Sequence, residues 1–247
     1  MAGDRAGVVT DGEMVDPPAD ARVFRHHALA GLADVAPSGR ARLDAVARWL
    51  QDAALADVVD SGLDAGGVWV LRRLRLRVER FPRFGDRVEV CTFCSATGPL
   101  VAERRSTVLD DGGAAVQAVA LWVHLDPDGA HPRPLPEGFD AVYGAAAAGR
   151  RARARLRHPA APPAGAPVRP WRFRASDLDL AGHVNNAVYW EVLEEELAGP
   201  GEPPAGLDVE IEHRAAADAG EAVVAEDDGM RWICANGDVV ATLRRSD

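Results

Sequence analysis

The feature that most limits the folds open to this chain is an internal repeat. Leu43 to Val59 (LDAVARWLQDAALADVV) carries apolar residues at Leu43, Val46, Leu50 and Ala54, the spacing of a helix with one buried stripe. Asn186 to Leu197 (NAVYWEVLEEEL) repeats it with Val188 or Tyr189, Val192 or Leu193, and Leu197, and Asp44-Ala45-Val46 lies over Asn186-Ala187-Val188. Strand-like runs follow each helix. After the first come Val68–Arg80, Asp86–Ser95, Ala102–Leu109 and Val116–Leu125; after the second come Asp208–Arg214, Ala222–Glu226, Met230–Ala235 and Val239–Leu243. Gly85-Asp86-Arg87-Val88 and Gly220-Glu221-Ala222-Val223 mark matching turns, and Asp111-Gly112-Gly113 and Asn236-Gly237-Asp238 mark matching hairpins. Each half therefore reads as strand, long buried helix, then antiparallel meander, an α+β chain made of two like units.

With 247 residues, each unit is long enough to bury a core. A formal charge of -10 argues against broad nucleic-acid binding, and no apolar run approaches membrane-spanning length. The first twenty residues are acidic, contain Pro17-Pro18 and lack the pattern of a signal peptide, so a loose tail and a cytoplasmic protein are expected. Every basic side chain is arginine, which alongside the alanine excess suggests high-GC codon bias. Cys91 and Cys94 form a lone C-x-x-C with no second pair. In a strand they face opposite ways, so no metal site is assigned.

The two halves differ at the entrance to the helix. In the second, Ser176 to Trp190 (SDLDLAGHVNNAVYW) sets a carboxylate, Asp179, four residues before an imidazole, His183, around Gly182. Acid and base side chains beside the free N–H groups of a helix start suit acyl transfer, which needs an activated water or nucleophile and donors for an oxyanion. Laying Ala45 on Ala187 puts Ala41 opposite His183 and Pro37 opposite Asp179, so one centre per chain is expected, in the second half.

The motif resembles that of acyl-acyl-carrier-protein (acyl-ACP) thioesterases and related hotdog-fold thioesterases. Trp69-Val70-Leu71-Arg72-Arg73, the run Val78 to Asp86 (VERFPRFGD), Ser95-Ala96-Thr97-Gly98 and Trp122-Val123 are similar to the family's first-domain landmarks and occur in its order. The resemblance spans about Phe24 to Leu243. It implies two tandem hotdog domains, each a long helix wrapped by an antiparallel sheet. The expected layout is a disordered tail over 1–21, an acyl-chain-holding and catalytically inactive domain over 22–143, a linker over 144–166 and a catalytic domain over 167–247. The implied activity is thioester hydrolysis that releases a carboxylic acid from acyl-ACP in fatty acid biosynthesis, with no cofactor. Acyl-CoA as substrate, or a non-catalytic acyl or carrier-protein binder, are the alternatives, and a homodimer is compatible with the sequence.

Residue by residue, Asp179 is the expected base or nucleophile and His183 its assistant. Asn185 and Asn186 are expected to position substrate or to border the oxyanion hole, with helix capping the competing role for at least one of them. The family pattern reads Asp-x-Asn-x-His, whereas Ala181 stands here in place of the asparagine. The family's network glutamate falls near Arg214 or Ala215, and Glu212 would serve only after a two-residue slip along its strand. Glu194-Glu195-Glu196 reads as a solvated helix face. Candidates for docking an acidic carrier protein are Arg72, Arg73, Arg83, Arg87 and the linker arginines from Arg150 to Arg157.

Overall fold

The computed structural model describes residues 12–63, 66–129, 131–198 and 204–246; the first eleven residues of the expected tail lie outside them. Two units succeed one another. The first comprises β1 (Phe24–Leu29), α1 (Leu43–Ser61), β2 (Val68–Val78), β3 (Arg87–Thr97), β4 (Val101–Asp110), β5 (Gly113–Leu125) and α2 (Phe139–Ala147). The second comprises β6 (Val168–Phe173), a 3-10 turn over Val188–Trp190 leading into α3 (Glu191–Leu197), β7 (Leu207–His213), β8 (Gly220–Asp227), β9 (Met230–Ala235) and β10 (Asp238–Ser246).

All ten strands join one antiparallel sheet in the order β1-β3-β4-β5-β2-β7-β10-β9-β8-β6. The second half of that order is the first reversed, so a pseudo-two-fold axis passes between β2 and β7. There the two units pair directly, from Arg73 opposite Glu212 to Val78 opposite Leu207. One apolar core runs through both units and takes in α1, α3 and the inward faces of the central strands. This is the tandem hotdog architecture, with each helix packed against its own half of the sheet.

Local chemistry fixes the element ends. α1 stops at Gly62, whose left-handed backbone (φ +66°) lets its N–H reach the Val59 carbonyl. The β9–β10 hairpin turns on Asn236 and Gly237, both at positive φ, as a two-residue turn of this hand demands. Helix α2 crosses the expected domain boundary at 143/144, where the glycine and alanine run had read as linker. Phe139 and Tyr143, one turn apart, pack as tilted rings with centroids 4.8 Å apart and anchor this helix on the sheet.

The basic stretch that follows is not solvated throughout. Arg151 bridges to Thr97, and His158 is buried beneath β7 and β10. No helix among the described residues is long and apolar enough to cross a membrane.

Candidate active site

The loops that lead into the two helices are built on one plan, hydrogen bond for hydrogen bond. Asp34 caps the Gly31 amide at 3.0 Å, and Asp177 caps the Arg174 amide at 2.7 Å. The Ala36 N–H donates to the Arg40 carbonyl and the Asp179 N–H to the His183 carbonyl, both at 2.8 Å. Gly39 (φ +80°) and Gly182 (φ +77°) take the left-handed position of each turn, which a side chain would strain. Arg42 N–H reaches Asp34, and Asn185 N–H reaches Asp177. These bonds match Ala36 with Asp179, Arg40 with His183 and Leu43 with Asn186. The register read from sequence is thus one residue out: Pro37 and Ala41 are not the counterparts.

The carboxylate and imidazole emerge from a single exposed turn. Asp179 Oδ1 accepts the Ala181 amide at 2.9 Å, while the His183 ring makes no hydrogen bond among the described residues. Asn185 is a brace, its Oδ1 accepting the Ala187 N–H at 2.9 Å. Asn186 differs: neither its side chain nor its N–H has a partner among the described residues. The same amide in the first half, Leu43 N–H, is occupied by the Glu194 carboxylate Oε2 at 3.1 Å. Glu194 also forms an ion pair with Arg40 at 2.6 Å. It is therefore buried, and of the expected solvated glutamate face only Glu195 is exposed, since Glu196 binds Arg231 and Arg169.

Beside the loop from Asp179 to Asn186 lies a residue the sequence reading missed. His213 continues the inward-facing run Val209, Ile211 on β7 and packs edge-on to Tyr189 at 5.1 Å. Burial, reinforced by the charge of Arg72, pushes its pKa down to about 3, so the ring is neutral. Burial, and then the charge of Asp179, raise the Tyr189 hydroxyl above its usual range. A histidine two residues beyond Ile211 in a strand was the available signal.

Glu212 points the other way because alternate residues of a strand face opposite sides. It is fully buried, and its oxygens accept the amides of Arg157 (2.6 Å) and His158 (3.1 Å). Ligand atoms of His158, Glu210 and Glu212 lie within 4.8 Å of one another. Arg73 and Arg244 stand 3.5 and 3.7 Å from Glu210, so guanidinium groups already supply the positive charge there. The structure thus brings Asp179, His183, Asn185 and Asn186 into one loop and holds Glu212 against the linker.

A cavity of about 200 Å³ opens in the first unit between α1, α2 and the sheet. Trp69, Trp122, Phe139 and Tyr143 form aromatic walls, Ala54 and Val58 line it from α1, and Gln51 is among its few polar groups. Cys94 also faces it, with its thiol pushed up to about 12 by burial, while Cys91 lies beside Glu89 and Arg25. The candidate docking arginines divide. Arg83, which donates to the Ser38 carbonyl at 2.9 Å, and Arg87 are exposed, as is Phe84. Arg72 is half-buried and donates to the Arg214 carbonyl. Arg73 is buried against Glu210, because β2 is a central strand whose outer face the linker covers. Arg150 is tied to Ser95 and Ala146, and Arg157 lies 3.9 Å from Glu210, which leaves Arg151, Arg153 and Arg155 as the exposed linker arginines.

Comparison with known proteins gives the same picture over nearly the whole chain. Residues 22–143 match the family model of the acyl-ACP thioesterase N-terminal domain, and residues 163–229 match that of the C-terminal domain. An uncharacterised protein of Mycobacterium tuberculosis is 24% identical over 243 residues, covering 95% of this chain and 97% of its own length. A palmitoyl-acyl carrier protein thioesterase of Arabidopsis thaliana is 28% identical over 121 residues, 43% of this chain and 29% of that protein. Among solved structures, an acyl-ACP thioesterase from Bacteroides thetaiotaomicron has a TM-score of 0.75 at 20% identity, with 90% and 96% of the chains covered. The 12:0-ACP thioesterase from Umbellularia californica has a TM-score of 0.71 at 21% identity and the same coverages.

Proposed function

This chain belongs to the acyl-ACP thioesterase family and is a thioester hydrolase, and on that premise we propose that it frees a carboxylic acid from acyl-ACP at the loop from Asp179 to Asn186. One observation carries the reading. Among the described residues the Asn186 N–H has no partner, at the position where its twin, the Leu43 N–H, holds a carboxylate oxygen at 3.1 Å. A backbone amide that binds an anionic oxygen in one half is suited to receive the thioester oxyanion in the other.

In this reading Asp179 takes a proton from water, or attacks the carbonyl itself, and His183 orients the water or assists the departing thiolate. The thioester and one water become a carboxylic acid and a free thiol, so no redox partner is called for. The first unit holds the acyl chain in its aromatic cavity. A cavity of roughly 150 Å³ accommodates benzene, so 200 Å³ suits on the order of eight carbons. Exposed Arg83 and Arg87 offer charge, and exposed Phe84 an apolar contact, to an acidic carrier protein, and we place the reaction in the cytoplasm. Acyl-CoA hydrolysis at the same centre is the second reading, favoured by Ala181, which makes the motif simpler than the family's. Hydrolysis of a panel of acyl-ACP and acyl-CoA thioesters of graded length tests both. Preference for acyl-ACP supports the first, preference for acyl-CoA the second, and turnover of none overturns both.

A further inference from the structure

Gln51 has a twin, and the contacts of that twin indicate what Gln51 faces. With Arg40 matched to His183 and Leu43 to Asn186, the helical residue matched to Glu194 is Gln51. Burial agrees along the run: buried Val46-Ala47 and Trp49-Leu50 match buried Tyr189-Trp190 and Val192-Leu193, and half-buried Arg48 matches half-buried Glu191. α1 packs on both the Val188–Trp190 turn and α3, as an antiparallel crossing about the pseudo-two-fold axis requires. Glu194 reaches across that axis to the Leu43 amide and to Arg40. By that symmetry Gln51 corresponds to the position that faces the Asn186 amide and His183, as Glu194 faces the Leu43 amide and Arg40.

The chemistry at the two places differs. In the first half a carboxylate and a guanidinium close on each other and fill the position. In the second, the Gln51 side chain is half-buried, forms no hydrogen bond among the described residues and is one of the residues lining the first unit's cavity. A carboxylate only accepts hydrogen bonds, whereas a glutamine amide also carries two N–H donors. The exchange of glutamate for glutamine thus puts a donor where an anionic oxygen must be received.

We propose that Gln51 is a further catalytic residue, whose side-chain amide donates, together with the Asn186 N–H, to the thioester carbonyl oxygen as it becomes an oxyanion. The inference rests on the assignment of the Asp179–Asn186 loop as the active centre. As the water oxygen bonds to the carbonyl carbon, its proton passes to Asp179 and the C=O π pair moves onto the oxygen held by the two donors. The pair returns as the C–S bond breaks, and the thiolate leaves to take up the proton. The active site is then composite, with acid, imidazole and one donor from the second unit and the other donor from the first.

The test is steady-state hydrolysis of butanoyl-ACP and octanoyl-ACP by Gln51→Leu and Gln51→Glu, with thermal stability measured alongside. Gln51→Leu keeps the volume and removes both donors; kcat should fall ~10²-fold or more on both substrates with KM little changed. Gln51→Glu should be inactive at neutral pH, and its kcat relative to the parent should rise as the new carboxyl is protonated. That pH response is not expected of a residue that only walls the cavity, and it gives a second readout if Gln51→Leu folds poorly. A rise in KM confined to octanoyl-ACP, or parental kcat in Gln51→Leu, overturns the proposal. Asp179→Asn run in parallel separates the two claims. Parental activity in that variant sinks the assigned centre, whereas a dead Asp179→Asn beside an unimpaired Gln51→Leu sinks the role of Gln51 alone.

Discussion

Arg40 and Glu194 lie 154 positions apart in the chain and 2.6 Å apart in space, with side chains 3% and 8% exposed. The pair ties the first unit's helix entrance to the second unit's helix, and Phe81 covers the guanidinium at 5.0 Å. Removing one partner of such a pair leaves a buried charge uncompensated. Glu194→Ala should therefore cost about 3–5 kcal/mol, read as a lowered denaturant midpoint. Arg40→Met combined with Glu194→Leu should recover most of the loss. A single variant as stable as the parent would show that the pair does not join the units.

Asp179→Asn should abolish thioester hydrolysis without lowering the melting temperature, since Asp179 is exposed and the one hydrogen bond of its side chain among the described residues is local. His183→Ala should lower kcat by on the order of 10²–10⁴, the range of acid–base assistance. Parental rates in both would remove the loop from consideration.

Docking should depend on Arg83 and Arg87. Reversing both to glutamate should raise the KM for acyl-ACP, most at low salt, because exposed charges are screened within about 10 Å at 0.1 M. Turnover of a small uncharged thioester should stay the same. Arg73→Glu should instead damage the fold, since it sets a third carboxylate beside buried Glu210 and Glu212. Equal loss on both substrates in the surface variant would refute docking.

His213 should make the protein acid-sensitive. In the folded chain its ring takes a proton only near pH 3, whereas unfolded it does so near 6.5. Between these values the unfolded state binds the additional proton, so stability falls as pH falls, by about 1.4 kcal/mol per unit. His213→Phe should flatten this part of the pH–stability curve; an unchanged slope would mean that other groups set it.

Val58→Trp should fill part of the cavity and shift preference toward shorter acyl groups, measured as the ratio of kcat/KM for butanoyl- and octanoyl-ACP. An unaltered ratio would place the acyl chain elsewhere.

Much of this was legible in the sequence, and the misses share a cause. Alternation located the strands, with Met230–Ala235 correct to the residue, because a strand's burial period is local. The register between the halves was not, since Ala45-Val46 resembles Ala187-Val188 while the true match is set by loop hydrogen bonds. Arg73 sits on an alternating strand and read as surface, yet the linker over that face lies some eighty residues away in the chain. Glu194 read as solvated because its partner belongs to the other unit. The motif from Asp179 to Asn186 was visible as residue types in order; the unpartnered Asn186 amide became visible only beside its occupied twin.

The β2–β7 seam has a consequence for how such a chain can change over time. Two separate identical subunits joined at this seam would carry every substitution twice, once on each side of the axis. Covalent joining of the two copies lifts that constraint, so His183 can persist while its counterpart becomes Arg40, and Gln51 while its counterpart becomes Glu194. Mutations that would ruin a symmetric pair can then become a division of labour, which under the proposed function is one copy holding the acyl chain and the other reacting.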